Sequence, residues 1–138
     1  MTTYVRPSPL ISRLANPIAA RVAEFPALIV RGRRTGRLLT VPMGEPLDLG
    51  GRSYLVSGRG ETHWVRNLRA AGYAQFRLHR KTSGFRPTEV FGAEHDVVVD
   101  AYRRKLGHRV DHYFAEIPEK SGHPVFRMDP VDPQGHSS

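Results

Sequence analysis

Apolar positions along the chain follow two periods. After Ser8-Pro9, which sets a good N-cap before a proline at the first helical position, Leu10, Ile11, Leu14, Ile18 and Val22 recur at helical spacing. This predicts an amphipathic N-terminal helix within residues 1–24, kinked or broken at Pro17. From Phe25 onward the pattern changes to short apolar or alternating runs bounded by glycine or proline, which read as strands over residues 27–30, 38–43, 53–57, 74–79, 88–91 and 123–128. Turns are placed at Gly32-Arg33-Arg34-Thr35-Gly36, Leu49-Gly50-Gly51-Arg52 and Thr82-Ser83-Gly84, and such short links imply antiparallel pairing. Trp64, Val65, Leu68 and Ala71 return to helical spacing, with Gly72 as a left-handed stop, and residues 97–106 read as a second surface helix ending at Gly107. Beyond residue 128 the composition turns to Pro, Asp, Gln, Gly and Ser, as expected of a loose tail. The fold class is α+β: about six mainly antiparallel strands forming a small barrel or meander, with an N-terminal helix and short peripheral helices. One domain is expected over 1–138, with a helix region at 1–24, a core at 25–128 and a tail at 129–138.

Composition narrows the chemistry. A chain of 138 residues buries enough surface for one core and not for two. It has no cysteine, which excludes disulfides, thiol nucleophiles, iron–sulfur ligation and cysteine-type zinc sites. No apolar run reaches the roughly 20 residues of a membrane span, so a cytoplasmic protein is expected. Arg13 and Arg21 on the polar face of the N-terminal helix leave two readings, an ordinary packing helix or peripheral membrane contact. Lys+Arg number 21 against 13 Asp+Glu, a formal charge of +8 that steers anions toward the surface. The candidates are nucleic acid, acidic lipid or a polyanionic small molecule, and composition alone does not choose among them. Zinc fingers, RNP-like strands and recognition-helix patterns are all missing, which leaves nucleic acid only the charge in its favour, and no nucleic-acid partner is expected.

The densest candidate chemistry is Arg31-Gly32-Arg33-Arg34-Thr35-Gly36-Arg37, four arginines and a threonine in a turn between two apolar strands. Glycine permits the left-handed backbone of an anion nest, and guanidinium forks match phosphate or carboxylate. The alternative is an exposed basic hairpin tip that aids solubility. A second glycine turn, Ser57-Gly58-Arg59-Gly60, follows the third predicted strand, and Arg66 and Arg69 share a face of the next helix. If the two turns converge, they make one anion pocket, with Trp64 either flanking a planar ligand or anchoring the core. There is no nucleophile elbow, Walker A loop or His-Glu-x-x-His motif, and His108 and His112 read as a surface pair rather than a metal site. Metal ligation is therefore not expected, and no catalytic residue is assigned. Tyr102 and Tyr113 are candidate proton donors only.

In order and spacing, Gly32-Arg33-Arg34-Thr35-Gly36-Arg37 before Val41-Pro42, then Tyr54-Leu55-Val56-Ser57, then Trp64-Val65-Arg66-Asn67-Leu68-Arg69-Ala70-Ala71-Gly72, resemble the deazaflavin (coenzyme F420)-dependent nitroreductase family of actinobacteria. The resemblance runs from about Phe25 to Phe91, with a weaker echo at His123-Pro124-Val125-Phe126. It implies a split β-barrel related to flavin reductases, with cofactor in a groove on the barrel. Carried over position by position, it implies cofactor contacts from Arg33, Arg34 and Thr35 in the first turn, with Arg37 standing in for an arginine absent at position 39, Val41 and Pro42 lining the groove, Ser57, Gly58 and Arg59 in the second turn, and Trp64, Asn67 and Arg69 on the helix. Leu39 replaces an arginine found in some members, and Gly60-Glu61-Thr62-His63 is shorter than in the best-studied nitroreductases, so nitroreductase activity itself is not carried over. The implied function is transfer of hydride from F420H2 to a small electron-poor acceptor such as a quinone, enone or nitro compound, with FMN the weaker cofactor candidate. The alternative is a non-catalytic carrier of deazaflavin, FMN, heme or a lipid. Either a monomer or a homodimer is compatible with the sequence.

Overall fold

Three hairpins supply six of the seven strands. A computed structural model describes residues 25–131, and the expected N-terminal helix within 1–24 lies outside them. In the first hairpin β1 (Ala27–Arg31) pairs with β2 (Leu38–Pro42); in the second β3 (Leu47–Leu49) pairs with β4 (Arg52–Val56). The third joins β5 (Ala74–Leu78) to β6 (Lys81–Glu89), and β7 (Val125–Pro130) completes a seven-stranded antiparallel sheet in the order β2-β1-β5-β6-β7-β4-β3. Consecutive strands β2 and β3 therefore stand at opposite ends of the sheet.

The sheet changes partners at Phe85. Residues 81–85 of β6 pair with β5, and 85–89 pair with β7. Pro87, which has no N–H to give a ladder, lies where β5 no longer runs alongside, so a proline is accommodated within an interior strand. This division curls the sheet around a core of Leu28, Val30, Leu55, Phe76, Phe85 and Phe126, onto which helix α1 (His63–Ala71) sets Val65 and Leu68. Alternation along β4 and β7 then puts Tyr54 and Val125 on the other face. There they meet Val98 and Val99 of α2 (Gly92–Leu106) and Phe114 of α3 (Asp111–Glu116).

Several expectations are corrected. Thr82-Ser83-Gly84 is not a turn but part of β6, and the strand expected over 88–91 is the end of that nine-residue element. The actual link is His79-Arg80, both at positive φ (53° and 65°), as a two-residue mirror-type hairpin turn demands. Such turns usually advertise themselves by Asn-Gly, and His-Arg gives no such signal. Strand β3 has no sequence signature because three residues carry no measurable period. Of the tail expected over 129–138, Asp129 and Pro130 lie in β7, and residues 132–138 lie outside the described residues. Asp129 accepts bonds from Thr88 Oγ1 at 2.6 Å and Arg127 Nε at 2.8 Å, which holds it in the sheet. Helix α2 begins five residues earlier than expected, and Gly107 ends it in a 3-10 turn (Gly107–Arg109) before α3.

Candidate functional site

Helix α1 owes its position to both termini. Thr62 caps the start by accepting the Val65 N–H at 3.4 Å, and Gly72 ends it at φ 73°, a left-handed stop. That placement buries Asn67, whose Oδ1 accepts both the backbone N–H of Arg33 (3.1 Å) and its Nη1 (2.7 Å). The turn between β1 and β2 is closed by its own backbone, Gly32 N–H to Arg37 O at 2.7 Å and Gly36 N–H to Gly32 O at 2.9 Å. The Thr35 hydroxyl accepts the Arg37 N–H at 3.2 Å, and Arg31 Nη1 donates to Gly36 O. A basic turn with this many internal bonds holds its guanidinium roots in place before any ligand arrives.

The second turn is held from the opposite side. Ser57, nearly fully buried, donates its hydroxyl to Gly60 O at 2.6 Å, and its N–H bonds Pro124 O at 2.9 Å. The ring of His123 lies between the Ser57 carbonyl (Nδ1, 3.2 Å) and the Ile117 carbonyl (Nε2, 2.7 Å) and stacks on Phe114. Gly58 has no room for a side chain: a Cβ there would stand 2.8 Å from Tyr113 Cδ2 and 3.0 Å from the Tyr102 hydroxyl.

The curl of the sheet brings these two turns onto one groove of about 1560 Å³. Arg33, Arg34, Thr35, Arg37, Val41, Pro42, Ser57, Gly58, Arg59, Trp64 and Asn67 all line it. Arg69 does not. Its guanidinium is engaged by Glu89 (2.7 Å) and Glu61 (3.0 Å) beside a smaller neighbouring cleft, and these bonds hold the Glu61 carboxyl below its ordinary range. Trp64 serves two surfaces, lining the groove while packing on Phe126 at 6.4 Å between ring centroids. Apolar lining comes from Leu39, Val41, Met43, Leu55 and Leu106. Among the described residues, Arg34, Arg37, Arg59, Lys105 and Arg109 line the groove and form no ion pair.

Of the far wall, the sequence offers only Tyr102 and Tyr113, as candidate proton donors; Lys105, Leu106 and Arg109 are not among the expected site residues. Tyr102, Lys105, Leu106 and Arg109 line the groove from α2 and the 3-10 turn, and Tyr113 joins them from α3. A signal existed, since the first four recur at i, i+3, i+4 and i+7, though Gly107 interrupts it. Burial, with Tyr113 adding a smaller push, raises the Tyr102 phenol above its ordinary pKa. On the surface, His108 pairs with Asp111 at 3.2 Å, and the His112 ring lies tilted against Tyr113 at 3.9 Å between centroids.

No family profile matches the sequence, and no curated protein matches it. Solved structures do. The chain superposes on an F420-H2 dependent reductase at a TM-score of 0.59, with 18% identity, over 77% of this chain and 94% of that one. It superposes on a protein of unknown function from Agrobacterium tumefaciens at 0.61, with 15% identity, over 100% of this chain and 66% of the other. A heme binding protein from Mycobacterium smegmatis gives 0.55 at 18% identity, covering 93% of this chain and 53% of its partner. The shared feature is the fold, a split barrel found in an F420-dependent reductase and in a heme binder alike. None of this chain's described helices is long and apolar enough to cross a membrane.

Proposed function

We propose that this chain is an F420H2-dependent reductase that hands hydride to a small electron-poor acceptor such as a quinone, enone or nitro compound. The observation that carries the reading is convergence. Glycine turns from opposite ends of the sheet line one groove, and both present arginines without ion-pair partners among the described residues. A deazaflavin with an anionic tail fits that donor set, and the groove exceeds the roughly 300–1,000 Å³ of common ligand pockets, leaving space for an acceptor. When bound, such a cofactor supplies the hydride; the protein supplies position, electrostatics and water exclusion. Arg33, braced by Asn67, and Arg34 with the Thr35 turn would hold the anionic portion, while Val41, Leu55 and Trp64 would cover a planar ring.

Fluorescence titration tests the binding half of the proposal. F420 should bind more tightly than FMN, and replacing Arg33 and Arg34 by alanine should cost about 1.5–3 kcal/mol for each charge-assisted hydrogen bond removed. Equal affinity for the two cofactors would remove the tail argument. Turnover is tested by mixing protein, chemically reduced F420 and menadione-like quinones, enones and nitroaromatics in a chelator; oxidation should exceed the protein-free rate. The carrier reading draws on the similarity to a heme binding protein and on His63, an imidazole lining the groove. Tight binding without any acceptor-dependent oxidation would favour it.

A further inference from the structure

We infer that the far wall of the groove is an anion subsite for the acceptor, so that the preferred substrate is a planar electron-poor molecule carrying a carboxylate. This rests on the reductase reading for its redox role, but the subsite itself stands on the wall's own chemistry. The wall belongs to different elements from the Arg33 turn. It is built from the last turn of α2 and the 3-10 turn after it, which pack on β4 and β7 rather than on β1.

Two cations and two phenols face the same space. Arg109 donates Nε to the Leu106 carbonyl at 3.3 Å, which fixes the root of its guanidinium at the end of the helix. Neither Arg109 nor Lys105 forms an ion pair among the described residues, whereas Lys120 is matched to Asp100 of α2 at 2.9 Å. The Tyr102 hydroxyl and the ring edge of Tyr113 come against Gly58, where a Cβ would meet both, so the absence of a side chain at Gly58 lets these two tyrosines close the groove at this point. A phenol is protonated at neutral pH even at its ordinary pKa, and burial raises Tyr102 further, so its hydroxyl is available as a donor. Leu106 adds an apolar surface between the charges. Two cations, a neutral O–H donor at Tyr102 and an apolar strip match a carboxylate on a flat ring; a neutral quinone would leave the cations unused.

A matched pair of naphthoquinones, one a free carboxylic acid and the other its methyl ester, tests the subsite on the full chain. Calorimetric titration without cofactor should show the acid binding about tenfold or more tighter than the ester at low salt, with the gap closing as salt rises. The Lys105→Ala/Arg109→Ala variant should lose about tenfold of that acid-over-ester preference, in binding and in the ratio of kcat/KM values with F420H2. Arg86→Ala, which removes a charge outside the groove, should leave the preference within about twofold, and Lys105→Arg should retain it. Lys105 also lies where a cation complements the helix dipole, so the melting temperature of each variant separates impaired folding from impaired binding. An acid-over-ester preference that is missing from the wild type, or that survives the double substitution, overturns the subsite. If F420 affinity falls by the same factor as acid affinity, the wall holds the cofactor's tail and the inference is wrong. If F420 does not bind the wild type at all, the reductase reading fails while the acid titration still decides the subsite.

Discussion

Asn67 shows how one buried amide can set an exposed charge. Its Oδ1 accepts two bonds from Arg33, so the amide fixes both the backbone and the guanidinium of the basic turn. Asn67→Ala should destabilise the fold by about 1–3 kcal/mol and weaken F420 binding about as much as Arg33→Ala does. Asn67→Asp keeps the acceptor but places a carboxylate against Arg33. It should retain more stability than the alanine variant while still losing anion affinity; urea melts and F420 titrations of both variants check this. Gly58 makes the opposite point, since what matters there is a missing atom. Gly58→Ala should cost about 1–3 kcal/mol by displacing Tyr113 and Tyr102, read as a lower urea midpoint.

At the scale of the element, α1 is held by a cap, a stop and a clamp. The stop at Gly72 is purely a matter of backbone, because nothing lies within 4 Å of a Cβ built there while φ is 73°. Gly72→Ala should therefore cost about 1 kcal/mol with an unchanged denaturant slope. The clamp is Arg69, which ties α1 to Glu89 of β6 and to Glu61. Glu61 also lines the groove. Arg69→Met would leave that carboxylate without its partner beside the cationic lining, so F420 affinity should fall by less than about tenfold although Arg69 itself stands outside the groove.

Across the whole molecule, charge pairing sets the response to acid. Bonds from Arg69 lower Glu61, and the Tyr54 hydroxyl followed by Arg127 lowers Glu94. Burial pushes Asp129 up, but Arg127 and Thr88 outweigh it and hold it below its ordinary value. A carboxyl with a depressed folded pKa contributes fully above its unfolded value and loses that contribution as pH falls through the folded one. Melting temperature should therefore drop from about pH 4 downward. Arg127→Met, which removes the partner of Glu94 and Asp129, should flatten that drop and lower the melting temperature at neutral pH. A drop as steep in the variant as in the wild type would show that other groups govern it.

Local information was sufficient for local features. The strands β1, β2, β4, β5 and β7, the helix from Trp64 to its stop at Gly72, and both glycine turns were legible because each depends on a few neighbouring residues and their backbone limits. The reach of β6 was not legible, since a proline reads as a breaker until β5 ends where Pro87 needs it to. Nor was the fate of Arg69, one residue among several on a basic helix until Glu89, twenty positions away, is folded against it. The same holds for the far wall of the groove: Lys105 and Arg109 carry an ordinary helical spacing, and only the packing of α2 on β4 and β7 sets them facing the Arg33 turn's groove. The sequence by itself determined the glycine turns, their charge and the antiparallel class. The curled sheet decided which of those charges share one space, because pairing between distant strands, and not any local preference, sets the distance between its two ends.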